Sequence, residues 1–351
     1  MSEQLSAEEV VDLVVGPDAY RDLPRLLEEV ESGQKGINTI LSTEETYGDI
    51  RPVRMDQNHV SSFVAIMRGC DNFCADCVVP GTRGRERSRD PETILGDATD
   101  LFRMGYREVT LLGQNVNSYR WKQGDSLLKF EALLERVAAI DPSFRVRFAT
   151  SHPKDLSDEL LKVISRHPNL CKSIHLPVQS GSSAVLDRMK RRYTRAHYMD
   201  RISAIRSILP EASISTDIIA GFCGETEEEH RETLSLMEWA AYDFAYMFKY
   251  SERPGTFAAE KLRDDVPEKV KTRRLNEIIA LQGRLSLESK QRDVGNTFEV
   301  LVEGTSRKSA EQLYGRNSQN AVVVFPKGEL KPGDYARITI RDCTSATLLG
   351  S

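Results

Sequence analysis

No apolar stretch of this 351-residue chain approaches the roughly 18 residues that a bilayer-crossing helix needs. Its first fifteen residues place no basic segment ahead of an apolar one, so a secretory leader is not read there. A cytoplasmic protein with no membrane partner is expected. Strong charge of one sign is also missing: the net charge is −5 and the sequence pI is near 5.8, which argues against gross nucleic-acid affinity. Cysteine is sparse, with six residues, and three of them fall within one stretch of eight. That distribution favours thiol chemistry or metal binding over a disulfide framework. Low-complexity segments are absent. What remains is ordinary for a globular protein, 40 % hydrophobic and 29 % charged, and the length calls for two or three domains.

The cysteine run is Arg68-Gly69-Cys70-Asp71-Asn72-Phe73-Cys74-Ala75-Asp76-Cys77, a C-x3-C-x2-C spacing. Soft thiolates suit iron–sulfur clusters, and three of them leave one iron of a cubane open to a non-protein ligand such as S-adenosylmethionine (SAM). Structural zinc wants four ligands, yet no second pair lies nearby and His59 stands eleven residues upstream of Cys70. A buried structural trio is the third reading. Cys171, Cys223 and Cys343 are far apart and read as small buried hydrophobes.

Along the chain, residues 8–15 read as a strand and 20–31 as an amphipathic helix, too little to bury a core alone. Residues 36–62 read as a polar connector. From there apolar β-type runs at 63–67, 108–112, 145–149, 173–178, 214–220 and 245–250 alternate with helical stretches near 91–104, 128–139, 156–166, 194–208 and 226–241. This α/β alternation predicts a parallel sheet of six βα units, either open or a partial barrel, with its chemistry at the C-terminal strand ends. The cysteine loop follows the first strand directly. A long charged helix over 267–292 comes next, and β-type runs at 297–302, 321–325 and 335–340 predict a small all-β barrel.

Several longer stretches extend the cysteine motif. They are Thr82-Arg83-Gly84-Arg85-Glu86-Arg87-Ser88, Leu111-Leu112-Gly113-Gln114-Asn115-Val116-Asn117-Ser118-Tyr119, His175-Leu176-Pro177-Val178-Gln179-Ser180-Gly181-Ser182, Gly224-Glu225-Thr226-Glu227 and Tyr250-Ser251-Glu252-Arg253-Pro254-Gly255-Thr256. On these the chain resembles the radical-SAM methylthiotransferases, most closely their MiaB-type tRNA branch. The resemblance implies a partial (βα)6 radical-SAM barrel over 63–292 and a TRAM-like RNA-binding β-barrel over 293–351. It implies a 4Fe-4S cluster on Cys70, Cys74 and Cys77, whose one-electron cleavage of SAM yields a radical that removes hydrogen from adenine. The implied product carries a methylthio group at C2 of an N6-isopentenyladenosine beside the anticodon. The tRNA anticodon stem-loop and a one-electron reductant are the implied partners of what is expected to be a monomer.

Cofactor-binding candidates are the strand-end residues Gly113, Gln114, Asn115, Gln179, Ser180, Gly181, Gly221 and Glu225, where glycine admits a ligand closely and amides fix polar groups. Arg83, Arg85, Arg87, Arg307 and Lys308 are the RNA-contact candidates, with internal ion pairing as the rival reading. His152, His175, Trp121 and Trp239 read as structural or packing residues. The family also carries an auxiliary 4Fe-4S cluster on three further cysteines of an N-terminal α/β domain. Residues 1–35 resemble only that domain's last βα unit, so the auxiliary ligands are expected to be missing and sulfur transfer impaired. Asp76 and Gly81 stand where the family has aromatics, and Cys223 where it has proline. Methylthiolation of a ribosomal-protein aspartate and a non-catalytic RNA-binding barrel are the alternatives.

Overall fold

The computed structural model describes residues 10–50 and 59–351, so residues 8 and 9 of the expected first strand and residues 51–58 of the expected connector lie outside it. Strand β1 (Leu13–Val15) pairs in parallel with β2 (Gly36–Asn38) across the helix Leu23–Glu31. Residues 36–38 are therefore strand rather than connector. Three residues show no periodicity of their own, and the parallel ladder to β1 decides their state. This unit is tied to the rest through the buried carboxylate of Asp18, which pairs with Arg87 at 3.0 Å and Arg68 at 3.4 Å.

Strand β3 (Ser61–Ala65) leads into a two-residue antiparallel pair, β4 (Met67–Arg68) and β5 (Arg87–Ser88), which brackets the cysteines. Strand β6 (Glu108–Leu112) is followed by a hairpin, β7 (Arg120–Gln123) and β8 (Ser126–Lys129), absent from the sequence expectation. The remaining parallel strands are β9 (Arg145–Phe148), β10 (Ser173–His175), β11 (Ser213–Ala220) and β12 (Phe244–Lys249). They form two parallel sheets, β3-β6-β9 and β10-β11-β12. Residues 169–171 join the two: the Val146 N–H donates to the Asn169 carbonyl and the Cys171 N–H to the Val146 carbonyl, each at 2.9 Å. The result is the six-unit partial barrel expected of the alternation.

Local chemistry starts the outer helices. Asp90 accepts from the Glu92 N–H ahead of Pro91, Ser157 caps Asp158–Arg166, and Thr226 with Glu229 forms a capping box on Glu227–Ala240. Their apolar faces bury Ile94, Leu101, Leu160, Ile202 and Leu236 against the outward side of the strands. On β11 exposure alternates strictly, leaving Ser213, Ser215, Asp217 and Ile219 turned to the barrel interior. The long helix Glu268–Asp293 packs on β12 and on Glu227–Ala240. Among the described residues, no helix is long and apolar enough to cross a membrane.

The C-terminal region closes into a five-stranded barrel in the order β13-β14-β15-β17-β16, from β13 (Thr297–Thr305), β14 (Gln312–Asn317), β15 (Val322–Pro326), β16 (Tyr335–Cys343) and β17 (Thr347–Gly350). Strand β14 lacks an apolar run because Gly315 must lie flat on its neighbour; a Cβ there would sit 2.0 Å from the Leu301 carbonyl oxygen. This small barrel docks on the N-terminal mouth of the large one. Arg145 donates to the Arg316 carbonyl at 2.8 Å, and the Ser213 hydroxyl to the Gln319 carbonyl at 2.6 Å. Arg147 donates to the Asn317 carbonyl and to Glu108, each at 2.7 Å.

Candidate active site

The cysteine loop leaves β3 at the C-terminal mouth, where sequence reasoning places the chemistry. Backbone bonds pin it on three sides. The Cys70 N–H donates to the Gly84 carbonyl at 3.2 Å, the Ala75 N–H to Met189 at 2.9 Å, and the Ala75 carbonyl accepts from Ala258 at 2.8 Å. Beneath it Ala75 packs in a small apolar cluster with Val185, Met189, Phe222, Cys223 and Tyr250. All three thiols are free; Cys70 and Cys74 are buried and Cys77 is half-buried.

Burial first, then the neighbouring thiols Cys74 and Cys77, push the Cys70 thiol up to about 11. Burial raises Cys74 as well, while Arg191 pulls it back. Burial has the same effect on Cys171, so it is the local spacing of the trio and not the rise that sets these thiols apart. Among the described residues no three His, Cys, Asp or Glu side chains stand close enough to hold a single ion. Thiolates that each bind a different iron of a cubane need not converge on one point. Cys171, Cys223 and Cys343 do not gather: they sit on the seam beside Val146, in the cluster under the loop, and in the small barrel.

Asp76 is not a bare charge beside the thiols. Both its oxygens lie 2.9 Å from Arg191 Nη2, and both side chains are about nine-tenths buried. The partners are 115 residues apart, so no local pattern announces the pair. Gly81 faces open space, with nothing within 4 Å of a built Cβ.

The other strand-end loops gather at the same mouth. A Cβ at Gly113 would meet Met67 at 2.3 Å, at Gly181 the Thr233 Cα at 2.5 Å, and at Gly221 the Lys271 Cγ at 2.4 Å. Protein packing thus supplies a reason for each glycine. Glu225 braces its loop, accepting from the Gly221 N–H at 2.7 Å and from Arg274 at 2.9 Å. Burial raises its carboxyl, and those two donors pull against the rise. Gln179 has φ of +68°, and its carbonyl accepts from Ile219 at 2.9 Å. Ser180 is fully buried and accepts from the Ser182 N–H at 3.2 Å. By contrast, Gln114 Oε1 and Asn115 Oδ1 are buried without a partner in the protein.

The arginines divide. Arg87 is buried and spends its guanidinium on Asp18 and on the Ser42 carbonyl. Arg85 is exposed, paired with Asp71 at 2.9 Å and set over the Phe73 ring at 5.0 Å. Arg83, Arg307 and Lys308 face solvent. Further on, Arg188 clamps Glu229 and Arg195 donates to the Gly181 carbonyl. Internal pairing accounts for both of these arginines.

Inside the barrel lies a cavity of about 730 Å³, running from Thr150 near the cysteine mouth to Asn320 of the small barrel. Phe63, Phe148, Phe244, Tyr246 and Met247 line it. His175 stands among them, edge-on to Tyr246 at 5.9 Å, with Nδ1 3.0 Å from Ser215 Oγ and Nε2 3.3 Å from Asp217. Alternating charge inside a buried strand, Arg145-Val146-Arg147, is the sequence signal for the polar floor of the barrel.

Residues 64–237 match the Radical SAM superfamily and residues 291–351 the TRAM domain. The chain is 61 % identical over 340 residues to the tRNA-2-methylthio-N(6)-dimethylallyladenosine synthase of Phocaeicola vulgatus, covering 97 % of this chain and 75 % of that one. It is 58 % identical over 351 residues to the enzyme of the same name from Bacteroides thetaiotaomicron, covering 100 % and 77 %. Among solved structures, the radical S-adenosylmethionine methyltransferase TsrM from Kitasatospora setae, with tryptophan and a SAM analogue bound, has the same fold. It superposes with a TM-score of 0.53 over 83 % of this chain and 56 % of that one, at 13 % identity.

Proposed function

The chain belongs to the radical-SAM family of tRNA-2-methylthio-N(6)-dimethylallyladenosine synthases, and we propose that it methylthiolates C2 of an N6-isopentenylated adenosine beside the anticodon. The carrying observation is the cysteine trio itself, held on a pinned loop that follows the first parallel strand of the barrel. Cys70, Cys74 and Cys77 would hold the cluster. When bound, it supplies the single electron that cleaves SAM. Gln114 and Asn115 offer acceptors to SAM, while Gly113, Gln179, Ser180, Gly181, Gly221 and Glu225 shape the loops around it. Arg191 balances Asp76, so the loop brings no net negative charge to the cluster.

The cavity suits a flipped base that carries an apolar substituent. Its aromatic walls can stack an unpaired base. Arg83 and Arg85 at one end, with Arg307 and Lys308 on the small barrel, are assigned to RNA phosphates; Arg87 is already engaged with Asp18. An external one-electron reductant would supply the electron for SAM cleavage and a further SAM the methyl group, while the transferred sulfur must come from a donor other than the cysteine trio and its cluster. Cys171, Cys223 and Cys343 lie apart, so we assign no second cluster to them. The shared name of the similar relatives favours tRNA over a ribosomal-protein aspartate.

The test is anaerobic reconstitution with iron and sulfide, followed by SAM, a reductant and an anticodon stem-loop bearing the isopentenylated adenosine. Uptake of about four irons per chain and release of 5′-deoxyadenosine are expected, with the modified nucleoside read by mass spectrometry. Full iron uptake with no SAM cleavage would sink the catalytic reading, and activity on ribosomal protein instead would redirect it.

A further inference from the structure

We propose that His152 donates its Nε2–H to a ring nitrogen of an adenine seated against loops 113–118 and 149–155, with Asn117 beside it. The inference rests on the radical-SAM reading above and gives a ligand to a histidine that reads from sequence as structural. His152 is 9 % exposed. Its Nδ1 accepts from the Lys154 backbone N–H at 3.3 Å, so the neutral ring carries its proton on Nε2. That Nε2 is buried and has no partner in the protein. The ring is held in place, edge-on to Tyr193 at 5.3 Å, and Tyr193 in turn donates to the Val178 carbonyl at 3.0 Å. Next to it, Lys154 Nζ reaches Asn72 of the cysteine loop at 3.1 Å, which places the histidine at the reacting mouth.

The two loops are zipped together. The Val116 N–H donates to the Thr150 carbonyl at 3.0 Å, Asn115 Nδ2 to Asp155 at 2.7 Å, and the Ser151 hydroxyl to Asn117 Oδ1 at 3.2 Å. A carboxylate only accepts, so Asp155 fixes which way Asn115 points. Zipping leaves four buried atoms open: the acceptors Gln114 Oε1 and Asn115 Oδ1, and the donors Asn117 Nδ2 and His152 Nε2–H. An anion would ask for donors alone and a metal ion for acceptors alone. A nucleobase edge asks for both, and adenine offers ring-nitrogen acceptors beside an exocyclic N–H. Burial, then the charges of Arg191, Lys154, Arg192 and His197, keep the imidazole neutral, down to about 3. It therefore acts as a fixed donor and not as an acid.

Adenine occurs both in SAM and in the target nucleotide, and the test separates them. His152→Phe keeps the ring against Tyr193 and removes the donor; His152→Gln keeps a neutral N–H. On the reconstituted full chain, SAM affinity is measured by equilibrium dialysis, stem-loop affinity by filter binding, and the thermal midpoint by calorimetry. We expect His152→Phe to weaken one of the two by about tenfold or more, with most of the loss recovered in His152→Gln. Loss in the SAM arm assigns the cofactor's adenine, and loss in the RNA arm the target's. Both affinities staying within about twofold in His152→Phe would overturn the inference. So would equal losses in both variants together with a fallen thermal midpoint. A wild-type chain that binds neither SAM nor the stem-loop would overturn the functional reading itself.

Discussion

At the lower mouth of the barrel every arm of Arg147 is occupied: Nε on Glu108, Nη1 on the Ser318 carbonyl and Nη2 on that of Asn317. At the upper mouth Arg191 is as deeply buried, yet only Nη2 meets Asp76 and its Nε has no partner. The contrast extends to the surroundings. Among the described residues, buried side-chain atoms without a protein partner gather above on the adjoining loops of Gln114, Asn115, Asn117 and His152, while those below are on Gln282, Asn317 and Gln319. Both mouths spend charge on buried groups, but the floor uses it to join two folded units while the top keeps capacity for something not made of protein. An unsatisfied buried group is costly, so such groups persist where a ligand completes them.

Breaking the upper mouth at its proposed cluster ligands has the largest expected effect. Cys70→Ala should take activity below detection and lower the iron retained after reconstitution, with the thermal midpoint of the metal-free chain nearly unchanged. Breaking the floor comes next. Arg147→Ala strands Glu108 as a buried, unpaired charge and should cost about 3–5 kcal/mol in denaturant unfolding. Glu108→Gln in the same chain should restore part of that loss. Asp76→Asn weakens the pair with Arg191 without emptying the site, and about 1–3 kcal/mol is expected, checked by the same titration.

The pH response sharpens the contrast further. The folded-state value of His152 lies far below its ordinary 6.5, so between about 3 and 6.5 the folded chain binds fewer protons than the unfolded one. Stability therefore rises with pH through that window and falls on acidification, by about 1.4 kcal/mol per pH unit for one such group. Unfolding free energies at pH 6.5 and 5.5 should show a shallower slope in His152→Phe. His230, also lowered by burial, would continue to contribute. Exposed arginines give the smallest effects. Arg83→Ala should leave stability within about 0.5 kcal/mol and reduce the salt dependence of stem-loop binding by about one unit of slope.

Much of the architecture is legible because strands buried beneath outer helices read as apolar runs, and those at 108–112 and 214–220 stand almost where expected. Strands with only one buried face escape that rule: β14, interrupted by Gly315 and Arg316, and the exposed hairpin of β7 and β8. The cysteine trio is legible because its ligands are local in sequence. The Asp76–Arg191 pair and the open nitrogen of His152 are not, since each depends on groups brought from elsewhere in the chain. Arg87 shows the opposite error: a charge in a basic run that folding turns inward onto Asp18.

The docking of the small barrel beneath the large one also sets a span. Ser213, at the foot of β11, is bonded to Gln319, and Ala220, at the other end of the eight-residue strand, opens into the upper-mouth loop. Eight residues of strand measure roughly 25 Å. On the proposed function, RNA held by the small barrel must bridge that length to reach the cysteine loop. The molecule is a caliper, with its jaws set by one strand.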